Sequence, residues 1–338
     1  MTLRFGLIGA GNIAQAYLQL FDDLADAAIV GVADARPQVA AAAAARVGAT
    51  PHATVDALLD AEHPDAIIVC TPPDTHPDIA LTAIGRRVAV LCEKPLATRI
   101  GPAQTMMAAA KAAGVPLTMA TKFRFVDDIV RAQQLVAAGA LGELIQLENR
   151  FASRVDMRTR WNSDPAVSGG GVLIDNGTHS VDIARSFLGP IHEVLVVEGP
   201  KVQDLEVEDS VQVLLRAASG ATATIDLSWS YDHATDAYLE LYGSAGVARV
   251  GWHGSELRAN DADDWTRIGE GYDKLTCMRA QVANFCAALR GEEPMRITDA
   301  DAIASVQVID ACYRSLTLGD WTPVELVQRL TRAGEDVA

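Results

Sequence analysis

Short apolar, β-branched runs alternate with Ala- or Leu-rich helical stretches through the first 125 residues or so. This alternation constrains the chain more than any other feature. The runs are "LRFGLIG", "AIVGVAD", "AIIVCTP", "VAVLCEKP" and "VPLTMATKF", separated by helical segments at 12–21, 37–46, 75–84 and 99–113. Strands that are apolar throughout, each followed by a helix, pack as a parallel sheet covered on both faces. After a further helix near 126–138 the pattern changes. Strand candidates then follow one another directly: "ELIQLENRFAS", "EVLVVEGPKV", "SVQVLLRA", "TATIDLSWS", "AYLELYG" and "GVARVGW". Helices are expected only at 172–188, 273–290 and 299–317. That is the pattern of an α+β region with a large, mainly antiparallel sheet.

The chain has 338 residues, which suits two domains of about 100–200 residues each. The expected division is α/β: a dinucleotide-binding domain over 1–124 and an α+β substrate-binding and oligomerisation domain over 125–338. The second domain has too few helices to cover both faces of its sheet, and Leu214, Ile225 and Leu227 alternate along its strands. An open apolar face implies a homo-oligomer, a dimer or tetramer.

Net charge is −16, from 28 Lys+Arg against 44 Asp+Glu. Such a surface repels nucleic acid and anionic membranes and favours, weakly, a cationic ligand. The five cysteines (70, 92, 277, 286 and 312) are scattered, with no C-x-x-C. With no basic leader and no apolar span, they point to a reducing cytoplasm. No ligand cluster suited to a metal stands out.

Residues 9–14 read "GAGNIA", a G-x-G-x-x-A between a strand and a helix. Gly9 and Gly11 permit the tight turn and close approach of a pyrophosphate; Asn12 and Ile13 open the helix, and Ala14 permits tight packing. A glycine fingerprint alone is weak, since many strand-to-helix turns are Gly-rich. Here Asp34 closes the second strand, 20 residues after Ala14, where an acid accepts from ribose hydroxyls and opposes a 2′-phosphate. NAD is therefore expected over NADP. Arg36 tempers this, because an arginine there serves a 2′-phosphate or simply covers the adenine. Ligands of parallel sheets bind at the carboxyl ends of strands. Those ends carry Thr71 and Pro72 with His76, then Glu93 and Lys94, then Lys122.

"GGGVLIDNGTH" (169–179) runs three glycines into a helix. At about 100° per residue, Ile174, Gly177, Val181, Ala184 and Leu188 form an apolar stripe, and Asp175, His179 and Asp182 a polar one. An Asp/His pair at i, i+4 is ordinarily a solvated face with a weak ion pair. A site is the alternative, and the stretch alone does not choose.

In order along the chain, "GAGNIA", "TPPDTH", "CEKP" and "SGGGVLIDNGTH" resemble the Gfo/Idh/MocA family of sugar and cyclitol oxidoreductases. The resemblance covers essentially the whole chain and implies a Rossmann domain followed by an α+β domain. It also implies a catalytic group of Lys94, Asp175 and His179, with the glycines bringing the helix start close to the cofactor. His179 would be the general base. Asp175 would hold His179, and Lys94 would stabilise the alkoxide as a secondary alcohol loses hydride to NAD.

Substrate contacts are expected from Lys94, Lys122, Asp175, His179, Trp161 and Asn162. Trp161 offers a sugar ring a flat face or is a packing residue. Lys122 stands where many relatives have a neutral amide. "ATKFRF", "SRVDMRTRWNSDPAV" and "TIDLSWS" are also similar to dehydrogenases that tailor aminoglycoside antibiotics, which implies an amino-sugar substrate. Inositols or hexoses, and NAD-dependent glycoside hydrolysis, are the alternatives.

Overall fold

The computed structural model describes residues 2–325. Its first sheet is built from β1 (Leu3–Ile8), β2 (Ala27–Ala33), β3 (Thr50–His52), β4 (Ala66–Val69), β5 (Ala89–Glu93) and β6 (Leu117–Ala120). All pairings are parallel, in the order β3-β2-β1-β4-β5-β6. Five helices connect them: α1 (Asn12–Phe21), α2 (Pro37–Val47), α3 (Val55–Glu62), α4 (His76–Gly85) and α5 (Ile100–Ala113). β1 and β4 are neighbours whose chains leave in opposite directions, which opens a crevice at their carboxyl ends. β4 is buried throughout because helices cover both its faces.

A 3-10 turn (Lys122–Phe125) and α6 (Asp127–Ala137) lead into β7 (Leu144–Ala152). A short α7 (Pro165–Ser168) precedes α8 (Val172–Leu188). Then come β8 (Ile191–Glu198), β9 (Ser210–Ala217), β10 (Thr222–Ser228), β11 (Ala237–Gly243), β12 (Gly246–Gly251), β13 (Ser255–Ala259) and β14 (Thr266–Gly269). α9 (Lys274–Leu289), α10 (Asp299–Leu318) and β15 (Thr322–Pro323) follow. The nine-stranded second sheet runs β14-β13-β12-β11-β7-β10-β9-β8-β15, antiparallel except where β10 lies parallel to β7.

α8 lies on one face of this sheet. A Cβ at Gly177 would sit 3.0 Å from a Leu227 methyl carbon, so the missing side chain lets helix and sheet touch. Ile225 and Leu227 are therefore covered by α8 and fully buried. They do not belong to an open apolar face. Leu214 points to the other face, which carries no helix among the described residues. That face is mixed: Leu214 lies beside Leu195, while across β7, β11 and β12 Arg150 pairs with Glu240 at 2.7 Å and with Glu148, and Arg249 pairs with Glu240 at 2.8 Å. The expectation of a continuous apolar surface is corrected on this point.

α10 serves both sheets. Ser315 accepts from the Val196 amide at 3.0 Å on the second sheet, while Ala302 and Val306 are buried in the apolar layer of the first. All five cysteines are free and buried. Among the described residues, no helix is long and apolar enough to cross a membrane, and no three His, Cys, Asp or Glu gather as a metal site.

Candidate active site

The crevice begins at the turn after β1. Gly9 has φ +84°, and a Cβ there would lie within 2.9 Å of the Cys70–Thr71 backbone. Only glycine lets this turn pass the end of β4. A Cβ on Gly11 would meet nothing within 4 Å, and no side chain caps α1. Open space before uncapped N–H groups fits a dinucleotide pyrophosphate. Asn12 is exposed and Ile13 half-buried on the same turn.

Asp34 closes β2 and accepts from the Ala10 amide at 2.9 Å and from the Arg36 amide at 2.9 Å. The Arg36 guanidinium adds two bonds, at 3.0 and 3.2 Å. Burial opposes the Asp34 charge, but the Arg36 and Ala10 bonds outweigh it and hold the carboxyl below its ordinary range. Arg36, with its side chain 64% exposed, thus lies against Asp34 at the end of β2.

Thr71 and Pro72 are half-buried after β4, with the Thr75 hydroxyl 2.7 Å from Thr71 Oγ1 and from the Pro72 carbonyl. His76, expected among the cofactor contacts, is completely buried. Its Nδ1 lies 2.9 Å from the Pro95 carbonyl and its Nε2 2.9 Å from the Thr71 carbonyl. No ring atom is left for a cofactor. His76 instead ties the Thr71 loop to the Lys94–Pro95 turn, whose peptide is cis.

Glu93 ends β5 and accepts from the Tyr17 hydroxyl at 2.8 Å and the Lys94 amide at 3.3 Å. Burial raises its pKa against the pull of Tyr17, Lys122 and Lys94. Tyr17 in turn accepts from Gln281 of α9 at 3.1 Å.

Lys94 Nζ crosses to α8, donating to Asp175 Oδ1 at 2.5 Å and to the Asp175 carbonyl at 2.9 Å. The expected Asp175–His179 pairing is absent among the described residues; Asp175 is the partner of Lys94. His179 is buried and its Nδ1 has no hydrogen-bond partner. Burial first, then the charges of Lys94 and Lys122, push its pKa well below the ordinary histidine value, so the ring is neutral. Phe123 packs its ring at 5.0 Å from the imidazole in a T-shaped contact.

Lys122 opens the 3-10 turn beside this cluster, half-buried, with its Nζ 5.6 Å from the Phe123 ring centroid. It makes no hydrogen bond or ion pair among the described residues. Burial lowers its pKa, partly offset by Glu93.

The third polar residue of the stripe, Asp182, does not face solvent. It is 1% exposed and receives both Arg124 Nε at 2.8 Å and Nη2 at 3.0 Å. The three glycines also differ from expectation. Gly169 (φ +81°) would place a Cβ 2.7 Å from Thr98. At Gly170 a Cβ would overlap the Tyr313 hydroxyl, and at Gly171 the Glu208 carbonyl. They make room for neighbouring protein, not directly for a cofactor.

Trp161 is 46% exposed on a 3-10 turn, with Asn162 half-buried beside it. The aromatic surface nearest His179 comes from elsewhere. Tyr272 stacks on Phe123 at 5.3 Å, and Trp252 meets Tyr272 edge-on at 5.3 Å, both half-buried. Sequence reasoning missed this pair because each follows a lone glycine in unrelated loops; only the fold joins them.

A parallel sheet in this order, with an uncapped glycine turn and an acid closing β2, defines a dinucleotide-binding Rossmann domain. The model "Oxidoreductase family, NAD-binding Rossmann fold" matches residues 3–121, and "GFO/IDH/MocA C-terminal domain" matches 129–249. The chain belongs to the Gfo/Idh/MocA family of oxidoreductases, nicotinamide-dependent enzymes acting on sugar and cyclitol hydroxyls. It is 30% identical over 333 residues to inositol 2-dehydrogenase of Rhizobium meliloti (strain 1021), covering 94% of this chain and 97% of the relative. It is 28% identical to D-xylose 1-dehydrogenase (NADP(+)) 2 of Haloferax volcanii, over 94% of this chain and 98% of that protein. The crystal structure of GenD2 from gentamicin A biosynthesis, in complex with NAD, superposes with a TM-score of 0.85 at 28% identity, covering 96% of this chain and 97% of that one.

Proposed function

We propose that the protein oxidises a ring secondary hydroxyl of a neutral sugar or cyclitol to a ketone. The observation that carries this reading is the meeting of Lys94, Asp175 and a buried His179 with an unpartnered Nδ1 beside an aromatic wall. His179 takes the hydroxyl proton, since only an uncharged ring has a free lone pair. Lys94 donates to the same oxygen and stabilises the alkoxide as charge develops. Asp175 holds the Lys94 ammonium in place. Bound NAD supplies the hydride acceptor. The same groups run ketone reduction in reverse.

Neutral substrates are favoured over cationic ones because Lys122 makes no direct ion pair among the described residues and Asp175 is taken by Lys94. Trp252 and Tyr272, which pack on Phe123 against His179, join Trp161, Asn162 and Lys122 as candidate ring contacts. A second reading, oxidation of an amino-sugar unit of an aminoglycoside, is supported by the likeness to GenD2 and the net charge of −16. The test is NADH release across a panel of inositols, hexoses, nucleotide sugars and aminoglycosides. Fastest turnover on a neutral cyclitol or hexose is expected; a tenfold preference for an aminoglycoside installs the second reading. Free sugar released without net NADH would instead indicate glycoside hydrolysis. The domain division at 124/125 belongs to this proposal, as does assembly into a dimer or tetramer through the helix-free face of the second sheet. Light scattering at micromolar protein checks the assembly.

A further inference from the structure

Glu208, on the connection between β8 and β9, is buried and is none of the residues assigned a chemical role. Its carboxylate nonetheless reaches the start of α8. Oε1 accepts from the Gly171 amide at 2.8 Å, the Leu173 amide at 3.2 Å and the Tyr313 hydroxyl at 2.8 Å. Its backbone carbonyl accepts from the Val172 amide at 2.9 Å. The N-cap residue of α8 is Gly171, which has no side chain to satisfy these donors. Three successive first-turn amides are therefore capped from another part of the chain, a role usually filled by the N-cap side chain.

The first turn of α8 is also where the site is built. Gly171, held by Glu208 through its N–H, accepts from the Asp175 amide at 3.1 Å through its carbonyl. Asp175 then holds Lys94 through both side chain and backbone. Two links thus separate the Glu208 carboxylate from the Lys94–Asp175 pair. Val172 and Leu173 of this turn are fully buried. A cavity of about 230 Å³, lined by Pro95, Thr98, Gly169, Ile174, Thr178 and Tyr313 among others, borders it.

We propose that Glu208, braced by Tyr313, is a positioning residue that sets the first turn of α8 and thereby aims Asp175 and Lys94 at the reacting oxygen. This rests on the reading of Lys94, Asp175 and His179 as the reacting group. Misplacing a catalytic group by about 1 Å costs roughly 100-fold, so a loosened turn acts on turnover before it acts on cofactor affinity.

The experiment compares E208A, E208Q, Y313F and H179A in the full chain. NADH release is followed with the fastest substrate of the panel, NAD affinity by fluorescence, and hydrogen exchange of the 169–178 segment without cofactor. E208A should lose roughly 10–100-fold in kcat, hold NAD within about threefold of wild type, and exchange first-turn amides at least tenfold faster. E208Q keeps an acceptor oxygen in place and should recover kcat to within about threefold. Folded E208A with wild-type kcat and unchanged exchange overturns the proposal, and so does E208Q as impaired as E208A. Should E208A not fold, Y313F decides, since it removes one bond with little change in volume. A several-fold loss of kcat supports the proposal, and no change overturns it. H179A separates the two readings. Retained turnover there removes the reacting group itself, whereas inactive H179A beside normal E208A removes only the role of Glu208.

Discussion

Replacing Asp182 by alanine should destabilise the fold and slow the enzyme together. The residue is 1% exposed and holds Arg124 through two bonds, at 2.8 and 3.0 Å. Removing one partner of a buried pair costs about 3–5 kcal/mol, because the remaining charge stays desolvated. Arg124 retains Asp301 at 3.3 Å, which places the loss near ~3 kcal/mol, the low end. At about 2 °C per kcal/mol for a long chain, Tm should fall by roughly 6 °C. The pair also joins α8 to the Lys122–Phe125 turn, so His179 and the Phe123 ring against it lose their fixed spacing. A drop in kcat of about tenfold is expected from that misalignment. Calorimetry and initial rates on D182A, R124M and the double variant measure both effects. The double variant should recover much of the stability, giving a coupling energy of at least ~2 kcal/mol. A coupling below ~0.5 kcal/mol, with Tm and kcat unchanged in D182A, would refute the reasoning and return Asp182 to a solvated stripe.

H179A should lose about 10²–10⁴-fold in kcat while binding NAD normally, and K94A a similar factor, read by initial rates and equilibrium binding. Near-normal turnover in either folded variant removes that residue from the mechanism. Because His179 is held neutral by burial and by the Lys94 and Lys122 charges, the acid limb of kcat/KM should lie below the ordinary histidine range. K122M removes a neighbouring cation, favours the protonated ring and should move that limb to higher pH; a downward move contradicts the assignment of His179 as base. NAD should bind at least tenfold more tightly than NADP, a difference of about 1.4 kcal/mol, through Asp34 with Arg36 neutralised against it. D34A should erase the preference, and tighter NADP binding by wild type would transfer the role to Arg36.

Much of the fold was legible in the sequence because its signals are local. The spacing that predicts a helix over 172–188 matches α8, and the 12–21 segment matches α1. β3 and α3 went unread: one is a three-residue strand containing proline, the other an eight-residue helix with a short apolar face. In the site, Asp34, Lys94 and Glu93 sit at strand ends whose position follows from the parallel alternation. The partnerships did not follow. A polar stripe at i, i+4 spacing says which side chains share a face and nothing about what covers that face. Asp175 was expected to hold His179 and holds Lys94, 81 residues away. Asp182 meets Arg124, 58 residues away. His76 carries no local sign that both its nitrogens are spent on backbone carbonyls. Trp252 and Tyr272 reach the imidazole through Phe123, a contact that no sequence window spans.

The placement of α10 bears on how the two halves come apart. Ala302 and Val306 complete an apolar layer of the first sheet, although they lie nearly two hundred residues beyond its last strand. Gln281 reaches across to the Tyr17 hydroxyl in the same sense. The nucleotide half therefore borrows part of its interior from the far end of the chain. Heating should give one cooperative transition rather than two, and an isolated fragment of residues 1–124 would bare the patch that α10 covers. Opening the two halves about a hinge would therefore bare this layer and break the Gln281 contact.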